Sequence, residues 1–314
     1  MTNMDEKGLE IENFNPDICE RLQFIKDIYI HTPINKEFWF LLEDLMLQVN
    51  PESPRPKVMG CLLTGEPHSG KTTCVRQFKK AYLENVKGSI DHEVIIIQIP
   101  TRASLKAVMF KLGKQLKIPD LPRNKPSGYY NYPTFILVEK VAKKLWMDGT
   151  KLVIIDEFQN LFGISNENRM EILSGFNDLL NESHVPIILV GIEGVSKILD
   201  INQYDDEANL KGTFCSRFPE FKLEPWQDPD EISFIKLLHT ILNSCGNIFP
   251  KNDYELLKSR NTRLKILELT GGLTGKIIHL LKWTARNMVR NNISGKMTLN
   301  LIEKTYLQVQ ARGW

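Results

Sequence analysis

The chain contains an octapeptide whose residue types and spacing are those of a phosphate-binding loop. Residues 65–72 read Gly-Glu-Pro-His-Ser-Gly-Lys-Thr, a complete G-x-x-x-x-G-K-[ST] pattern. The glycines of such a loop let backbone N–H groups close around a phosphate, and the N-terminus of the following helix adds positive potential. We expect Lys71 to reach the β- and γ-phosphates of a nucleotide and Thr72 to offer its hydroxyl to Mg²⁺. The expected nucleotide contacts are the loop and the residue after it: Gly65, Glu66, Pro67, His68, Ser69, Gly70, Lys71, Thr72 and Thr73.

The flanks of this loop favour a nucleotide site over an ordinary glycine turn. Residues 57–64, Lys-Val-Met-Gly-Cys-Leu-Leu-Thr, form an apolar stretch of strand length before it. After it, apolar residues recur at helical spacing, at Cys74, Val75, Phe78 and Tyr82. A strand, the loop and a helix in that order are the setting in which this pattern binds phosphate.

A second stretch ends in two carboxylates that suit the same chemistry. Residues 151–157 read Lys-Leu-Val-Ile-Ile-Asp-Glu, and their apolar centre is typical of a strand in a parallel sheet covered on both faces. Asp156 is expected to hold Mg²⁺ directly or through water, and Glu157 to orient and polarise an attacking water. A strand that ends in solvated carboxylates is the alternative. Ligands gather at the carboxyl ends of strands in such sheets, which favours the functional interpretation.

Two cations in the second half of the chain are further candidates. Arg217, in Cys-Ser-Arg-Phe-Pro before the last predicted strand, could act as an arginine finger on the nucleotide of a neighbouring subunit. It could equally be a structural arginine paired with an acid such as Asp205 or Asp206. Lys276 follows Thr-Gly-Gly-Leu-Thr-Gly and opens an apolar helix, where a cation opposes the helix dipole by roughly 0.3–1 kcal/mol. A nearby phosphate would offset that cost, so Lys276 is a candidate nucleotide sensor, with plain solvation as the alternative.

Composition places the chain among soluble globular proteins. Of its 314 residues, 25% are charged and 42% hydrophobic. No apolar run approaches the ~18 residues of a membrane span, and the N-terminus lacks the apolar core of a signal peptide. The five cysteines are scattered and form no C-x-x-C, which suits a reducing cytoplasm and argues against a zinc site. We therefore expect a cytoplasmic protein with no membrane partner.

Charge is distributed unevenly along the chain. Residues 1–57 carry 6 basic and 11 acidic residues, a net of −5 (6 − 11), whereas residues 225–314 carry 13 and 7, a net of +6 (13 − 7). An acidic start and a basic end suit either nucleic-acid binding or head-to-tail packing of subunits. Charge alone does not choose between them.

Hydrophobic periodicity predicts an α/β fold followed by helices. Strands alternate with helices from residue 58 to 224, which implies a parallel, doubly wound sheet, and only helical patterns follow. Pro33 separates two helical patterns near the N-terminus. We predict three parts: a helical extension and linker over residues 1–57, a P-loop α/β domain over 58–224 and a helical lid over 225–314.

Taken together, these stretches resemble the TniB/TnsC group of AAA+ ATPases, the regulators of Tn7-like and CRISPR-associated transposons. The resemblance rests on residues 55–73, 154–162, 185–191 and 209–226 and covers roughly residues 17–290. It implies a doubly wound AAA+ domain with a helical lid that binds ATP and Mg²⁺ and hydrolyses ATP. It also implies a bacterial cytoplasmic regulator that oligomerises on double-stranded DNA, as a ring or a helical filament, and marks the insertion site. Its partners would be a transposase and a TniQ-type targeting protein.

The resemblance assigns roles to particular residues. Arg217 takes the finger position, and Lys276 the second sensor position, where arginine is commoner. Ile192 stands where relatives often have a threonine as the first sensor. Isoleucine cannot hydrogen-bond a phosphate or a water, so slow or differently sensed hydrolysis is expected. A further departure is Phe158-Gln159, where Ile-His is frequent.

Four cations are expected to contact the DNA backbone by the same resemblance. Arg102 and Lys106 lie off the apolar stripe of a predicted helix, for which a solvated basic face is the alternative. Arg123 and Lys125 lie in a proline-rich insertion over residues 119–133. Contacts of this kind give salt-dependent affinity with little sequence preference.

Two other classes of protein remain open on the sequence. A nucleotide-switched signalling ATPase of the STAND type would share the P-loop and the helical lid, but it would have no nucleotide-dependent affinity for DNA. A replication initiator would normally carry a winged-helix domain after the lid, and only 23 residues (314 − 291) follow Asn291.

Overall fold

A computed structural model provides the structure of the protein. It describes residues 16–27, 29–49, 58–86, 88–119, 121, 133–195, 214, 216–244, 254–291, 293 and 297–311. The chain forms two compact units, one of Pro33–Glu224 and the other of Met1–Thr32 together with Pro225–Trp314. We call them the sheet unit and the helical unit.

The sheet unit is built on five parallel strands in the order β2-β3-β4-β1-β5. Their bounds are β1 Cys61–Gly65, β2 Val94–Gln98, β3 Leu152–Asp156, β4 Ile187–Val190 and β5 Glu220–Leu223. The predicted parallel, doubly wound α/β fold is confirmed. Because all five strands run the same way, the segments that follow them lie along one edge of the sheet.

Helices cover both faces of this sheet. The helices within the described residues are α1 Pro16–Asp27, α2 Pro33–Met46, α3 Lys71–Asn85, α4 Leu105–Gln115, α5 Thr134–Met147, α6 Asn166–Ser183, α7 Ile232–Ser244, α8 Tyr254–Lys258, α9 Arg260–Thr270, α10 Thr274–Arg290 and α11 Leu299–Gln310. Along β3, Leu152 and Ile154 belong to a core shared with α2 and α3. Val153 and Ile155 belong to a second core shared with α4, α5 and α6. This alternation explains why the strand has no polar residue before its end.

The helical unit has a core of its own. Buried side chains from α1, α7, α9, α10 and α11 meet in it, including Ile25, Phe234, Leu281 and Ile302. The two N-terminal helices therefore differ in their packing, because α1 belongs to the helical unit and α2 to the sheet unit. None of the helices in the described ranges is both long and apolar enough to cross a membrane.

Two local features differ from the sequence-based expectation. Pro33, predicted to lie between two helical patterns, does so as the first residue of α2, where its missing N–H costs no hydrogen bond, and the second helix therefore begins earlier than its apolar pattern indicates. Short 3-10 turns over Asp91–Glu93 and Phe158–Gly163 were not predicted. The second of these follows the two acids at the end of β3 and shapes the site described below.

Candidate nucleotide-binding site

The phosphate-binding loop joins β1 to α3 in a close-packed turn. A Cβ atom on Gly65 would lie 2.9 Å from the carbonyl oxygen of Leu223 and 2.9 Å from Ser69 Oγ, so no larger residue fits without a shift. Gly70, with φ of 99°, precedes α3 as its N-cap, and no side chain caps that helix. The first-turn N–H groups of α3 therefore keep their ability to bind an anion.

Lys71 is buried inside the loop to which it belongs. Its ammonium donates to the carbonyl oxygens of Gly65 at 2.9 Å and Glu66 at 2.8 Å, and to Ser69 Oγ at 3.2 Å. Burial lowers the pKa of Lys71, and the nearby carboxylates of Asp156, Glu157 and Glu66 oppose that shift. The loop thus holds a cation where phosphate oxygens are expected.

Thr72 and Asp156 are 84 residues apart, and the fold brings them into contact. The Thr72 hydroxyl donates to Asp156 Oδ2 at 2.9 Å, and Asp156 is only 3% exposed. The other oxygen, Oδ1, accepts the backbone N–H of Glu157 at 2.9 Å. A hydroxyl and a carboxylate at the foot of a phosphate loop fit Mg²⁺, which prefers oxygen ligands and takes only one or two from the protein in such sites.

Glu157 follows the strand in the left-handed conformation, with φ of 62°. Its carboxylate accepts a hydrogen bond from Gln159 Nε2, and its carbonyl oxygen accepts the backbone N–H of Asn160 at 3.0 Å. Gln159 Oε1 is buried and has no hydrogen-bond partner in the described part of the chain. The sequence marked Gln159 only as a departure from a family pattern, and its contact with Glu157 is a finding of the structure.

The segment after β4 also lies at this edge. Ile192 is partly buried and packs against the core of the sheet unit, so it presents no polar group. The neighbouring Glu193 donates its backbone N–H to the carbonyl oxygen of Gly65 at 3.1 Å. Its carboxylate lies 2.7 Å from Lys222 Nζ on β5. The polar groups beside the loop here belong to Glu193 rather than to a first-sensor side chain.

Arg217 lies just before β5, and only some of its hydrogen-bond donors have partners among the described residues. Its Nη1 donates to Asn181 Oδ1, in the last turn of α6, at 2.6 Å. Its Nε is buried without a hydrogen-bond partner among the described residues. The alternative partners, Asp205 and Asp206, lie outside those residues. Nothing in the sequence marked Asn181, which is 36 positions away from Arg217.

Lys276 is the third residue of α10, in the helical unit. The helix start is tied to Trp226, whose backbone N–H donates to the Gly272 carbonyl at 2.9 Å and whose Nε1 donates to Thr274 Oγ1 at 3.0 Å. A Cβ on Gly272 would lie 2.0 Å from the Trp226 carbonyl oxygen, so this approach requires glycine. The nucleotide-sensing role of Lys276 stays a prediction.

Two of the four cations predicted to contact DNA lie together at the start of α4. Arg102 is exposed in the segment between β2 and α4, and Lys106 lies in the first turn of the helix, which contains no acid. The N-terminal dipole of α4 adds to their positive potential. The other two, Arg123 and Lys125, lie outside the described residues.

A hydrogen bond joins this basic segment to the one that follows β3. Asn160 Nδ2 donates to the Ile99 carbonyl oxygen at 2.7 Å, and the Ile99 N–H donates to the Asp156 carbonyl oxygen at 2.9 Å. The segment that carries Arg102 is therefore linked directly to the segment that carries Glu157.

The five-stranded parallel sheet, the phosphate loop at the end of β1 and the C-terminal helices define an α/β P-loop NTPase of the AAA+ class. Residues 21–228 match the family of bacterial TniB proteins, and the chain belongs to that family. No curated protein matches the chain in sequence.

Solved structures with the same fold are distant in sequence. The Aeropyrum pernix ORC2 protein, solved as ADPNP and ADP complexes, superposes with a TM-score of 0.61 at 13% identity, covering 90% of this chain and 71% of its own. The ORC1 protein of the same organism, solved in complex with DNA, has a TM-score of 0.54 at 14% identity, covering 92% and 69%. Cdc6p from Pyrobaculum aerophilum has a TM-score of 0.56 at 14% identity, covering 86% and 66%.

Proposed function

We propose that this protein is an ATP-dependent regulator of DNA transposition that oligomerises on duplex DNA, marks the target site and recruits a transposase. The observation that carries the proposal is the meeting of Lys71, Thr72, Asp156 and Glu157 at one sheet edge in a chain of the TniB family. The 2.9 Å hydrogen bond between Thr72 and Asp156 joins the two motifs.

ATP would bind in the loop with its phosphates against the first turn of α3 and the ammonium of Lys71. Thr72 and Asp156 would hold Mg²⁺, which supplies charge neutralisation to the phosphates when bound. Glu157 would orient the attacking water once its carboxylate leaves Gln159. The ADPNP and ADP complexes of the A. pernix ORC2 protein support a nucleotide in this fold.

Assembly would follow from sharing one nucleotide between two copies. Lys71 of one copy and Arg217 of the next would both contact the triphosphate, with Lys276 as a second sensor. The unpartnered Nε and the partly exposed side chain of Arg217 support this role. A nucleotide that binds the assembled state more tightly than the isolated chain favours assembly by mass action, as a ring or a filament.

DNA would be held through its phosphates. Arg102 and Lys106, beside the N-terminus of α4, form the best-supported contact, and we assign Arg123 and Lys125 to the same surface. The A. pernix ORC1 protein was solved in complex with DNA and shares the fold. We also propose a transposase and a TniQ-type protein as partners and the bacterial cytoplasm as location, and membership of the TniB family supports these assignments.

Electron microscopy of the purified protein with duplex DNA tests the proposal directly. Ordered particles are expected only when DNA and a non-hydrolysable ATP analogue are both present. Lys71→Ala should not assemble, and Glu157→Gln should remain assembled with ATP. Normal DNA-dependent assembly by Lys71→Ala would contradict the proposal, and nucleotide binding without any affinity for DNA would favour a signalling ATPase.

A further inference from the structure

The turn between α9 and α10 contains two consecutive glycines in the left-handed conformation. Gly271 has a φ of 61° and Gly272 a φ of 68°. Glycine adopts this conformation without steric cost, and it is also the residue with the greatest freedom to leave it. The backbone of the turn therefore does not by itself fix the direction in which α10 begins.

Trp226 holds this turn at two points. Its backbone N–H donates to the Gly272 carbonyl oxygen at 2.9 Å, and its indole Nε1 donates to Oγ1 of Thr274, the first residue of α10, at 3.0 Å. A Cβ on Gly272 would lie 2.0 Å from the Trp226 carbonyl oxygen and 3.0 Å from its backbone nitrogen. The two backbones are thus too close for any residue but glycine. We call the two hydrogen bonds the Trp226 anchor.

Both ends of the anchor are held by the core of the helical unit. The Trp226 side chain is partly buried and packs against that core, and its ring centroid lies 5.7 Å from that of the fully buried Phe234. At the other end, Thr274 is only 9% exposed. A large aromatic ring fixed by packing, with its N–H on a buried hydroxyl, keeps one position. The anchor therefore gives α10 a defined start.

The start of α10 is suited to an anion. Among the described residues, no side chain caps the helix, and its first turn contains no acid. That turn carries Lys276, two residues after Thr274. Free N–H groups at a helix start and a neighbouring ammonium both favour a phosphate. Where the ammonium can reach depends on the direction of the helix, and thus on the anchor.

The anchor is also close along the chain to the phosphate loop. Leu223, the last residue of β5, comes three residues before Trp226. It is the strand partner of Gly65, and its carbonyl oxygen would lie 2.9 Å from a Cβ on that glycine. One short segment of chain therefore begins at a contact with the phosphate loop and ends by holding the helix that carries the candidate sensor.

We propose that Trp226 and Thr274 are positioning residues for the nucleotide, because their hydrogen bond sets the start of α10 so that Lys276 meets the triphosphate. The inference rests on the proposed function, which gives Lys276 the role of second sensor. Trp226 and Thr274 act through Lys276 and not by contact with the nucleotide.

Substitutions that remove this hydrogen bond test the inference. Isothermal titration calorimetry of the isolated protein with a non-hydrolysable ATP analogue measures them. Lys276→Ala should weaken binding by about tenfold or more, the loss of a charged hydrogen bond. Trp226→Phe keeps an aromatic ring and Thr274→Val keeps the side-chain shape, and each should weaken binding by about threefold. Thr274→Ser keeps the hydroxyl and should bind within roughly 1.5-fold of the wild-type protein.

A double-mutant cycle separates positioning from a general effect on the fold. In the Lys276→Ala background, Trp226→Phe should cause less than about a 1.5-fold further loss of affinity, because the ammonium that it positions is gone. A residue that only stabilises the fold would give the same threefold loss in both backgrounds, and that result would overturn the inference.

The two glycines of the turn provide a second, matched comparison. Gly271→Ala and Gly272→Ala both place a side chain in the left-handed conformation, but nothing lies within 4 Å of a Cβ on Gly271. Only Gly272→Ala pushes against Trp226. It should therefore bind the analogue about threefold or more weakly than Gly271→Ala, and equal affinities would contradict the inference.

Trp283→Phe is the control for the loss of an indole donor. It acts on the same helix but away from its start, where Trp283 Nε1 donates to His279 Nε2 at 2.7 Å. Its affinity for the analogue should match that of the wild-type protein. The inference is overturned if Trp226→Phe also binds like wild type, or if Trp283→Phe loses as much. Unchanged affinity in Lys276→Ala would instead refute the sensor role given in the proposed function, and the inference with it.

Discussion

The phosphate loop and the region around Arg217 differ in how many of their polar groups find a hydrogen-bond partner within the same chain. In the loop, Lys71 makes three hydrogen bonds, and Thr72 is bonded to Asp156. Among the described residues, the Arg217 side chain makes a hydrogen bond to the exposed Asn181, and its buried Nε has no partner. The polar groups of the loop thus find partners within one chain, whereas Arg217 keeps an unpaired donor, as we would expect of a residue that completes a site on a second copy.

This difference teaches that binding and assembly can be separated by mutation. Changes in the loop should act on the isolated protein, because every group needed there is present in one chain. Substitutions around Arg217 should affect the protein only when a second copy supplies the phosphate loop and its nucleotide.

Arg217→Ala should have the largest effect, and only on the assembled state. We expect hydrolysis by assembled protein to fall about a thousandfold, the lower end for loss of an arginine finger. Nucleotide affinity of the unassembled protein, measured by fluorescence titration, should stay within roughly twofold, because no contact of Arg217 belongs to the loop. A loss of nucleotide affinity in the isolated protein as large as the loss of hydrolysis would contradict the view that Arg217 acts only across two copies.

Lys71→Ala should weaken nucleotide binding to the isolated protein by about tenfold to a hundredfold, the range for losing charged hydrogen bonds. The reason is that its ammonium is the one buried cation of the loop described here. Isothermal titration calorimetry measures the effect. Lys80→Ala, an exposed lysine on the outer side of α3 paired with Glu84 at 3.9 Å, is the matched control.

Gln159→Ala should raise hydrolysis by the isolated protein by about tenfold, since it removes a hydrogen bond that holds the Glu157 carboxylate. A steady-state phosphate-release assay without DNA measures this. The gain should be smaller in assembled protein if assembly already releases Glu157. A decrease in both states would show that Gln159 orients Glu157 for catalysis instead.

Asn181 substitutions should have the smallest effects and opposite signs. Asn181→Ala frees Arg217 and should promote assembly by up to about threefold. Asn181→Asp binds the guanidinium more strongly and should impede assembly by a similar factor. Light scattering against protein concentration follows both variants, and effects of the same sign would show that Asn181 does not restrain Arg217.

Much of the fold could be predicted from local patterns. The apolar run that ends in Asp156 predicted β3, and the loop over residues 65–72 predicted the strand and helix around it. Those patterns succeed because side-chain period and turn chemistry act within a few residues. The first residue of α2 could not be predicted from the apolar pattern, which places Pro33 before the helix. Proline is in fact favourable at the first position of a helix, because its missing N–H has no partner to lose there.

The partners of the candidate residues could be predicted less well. The sequence placed Glu157 near the phosphates but did not show that Gln159 holds its carboxylate. It singled out Arg217 without its partner Asn181, 36 residues earlier.

By itself, the sequence determined the phosphate loop, the two acids after a buried strand, the order of strands and helices along the chain and membership of a recognisable family. These depend on residues close together in the chain, where covalent spacing sets geometry. Only the tertiary structure decided that Thr72 meets Asp156, that Asn181 holds Arg217 and that α1 and α2 pack in different cores. Such contacts join distant segments, and their geometry depends on how whole helices and strands pack.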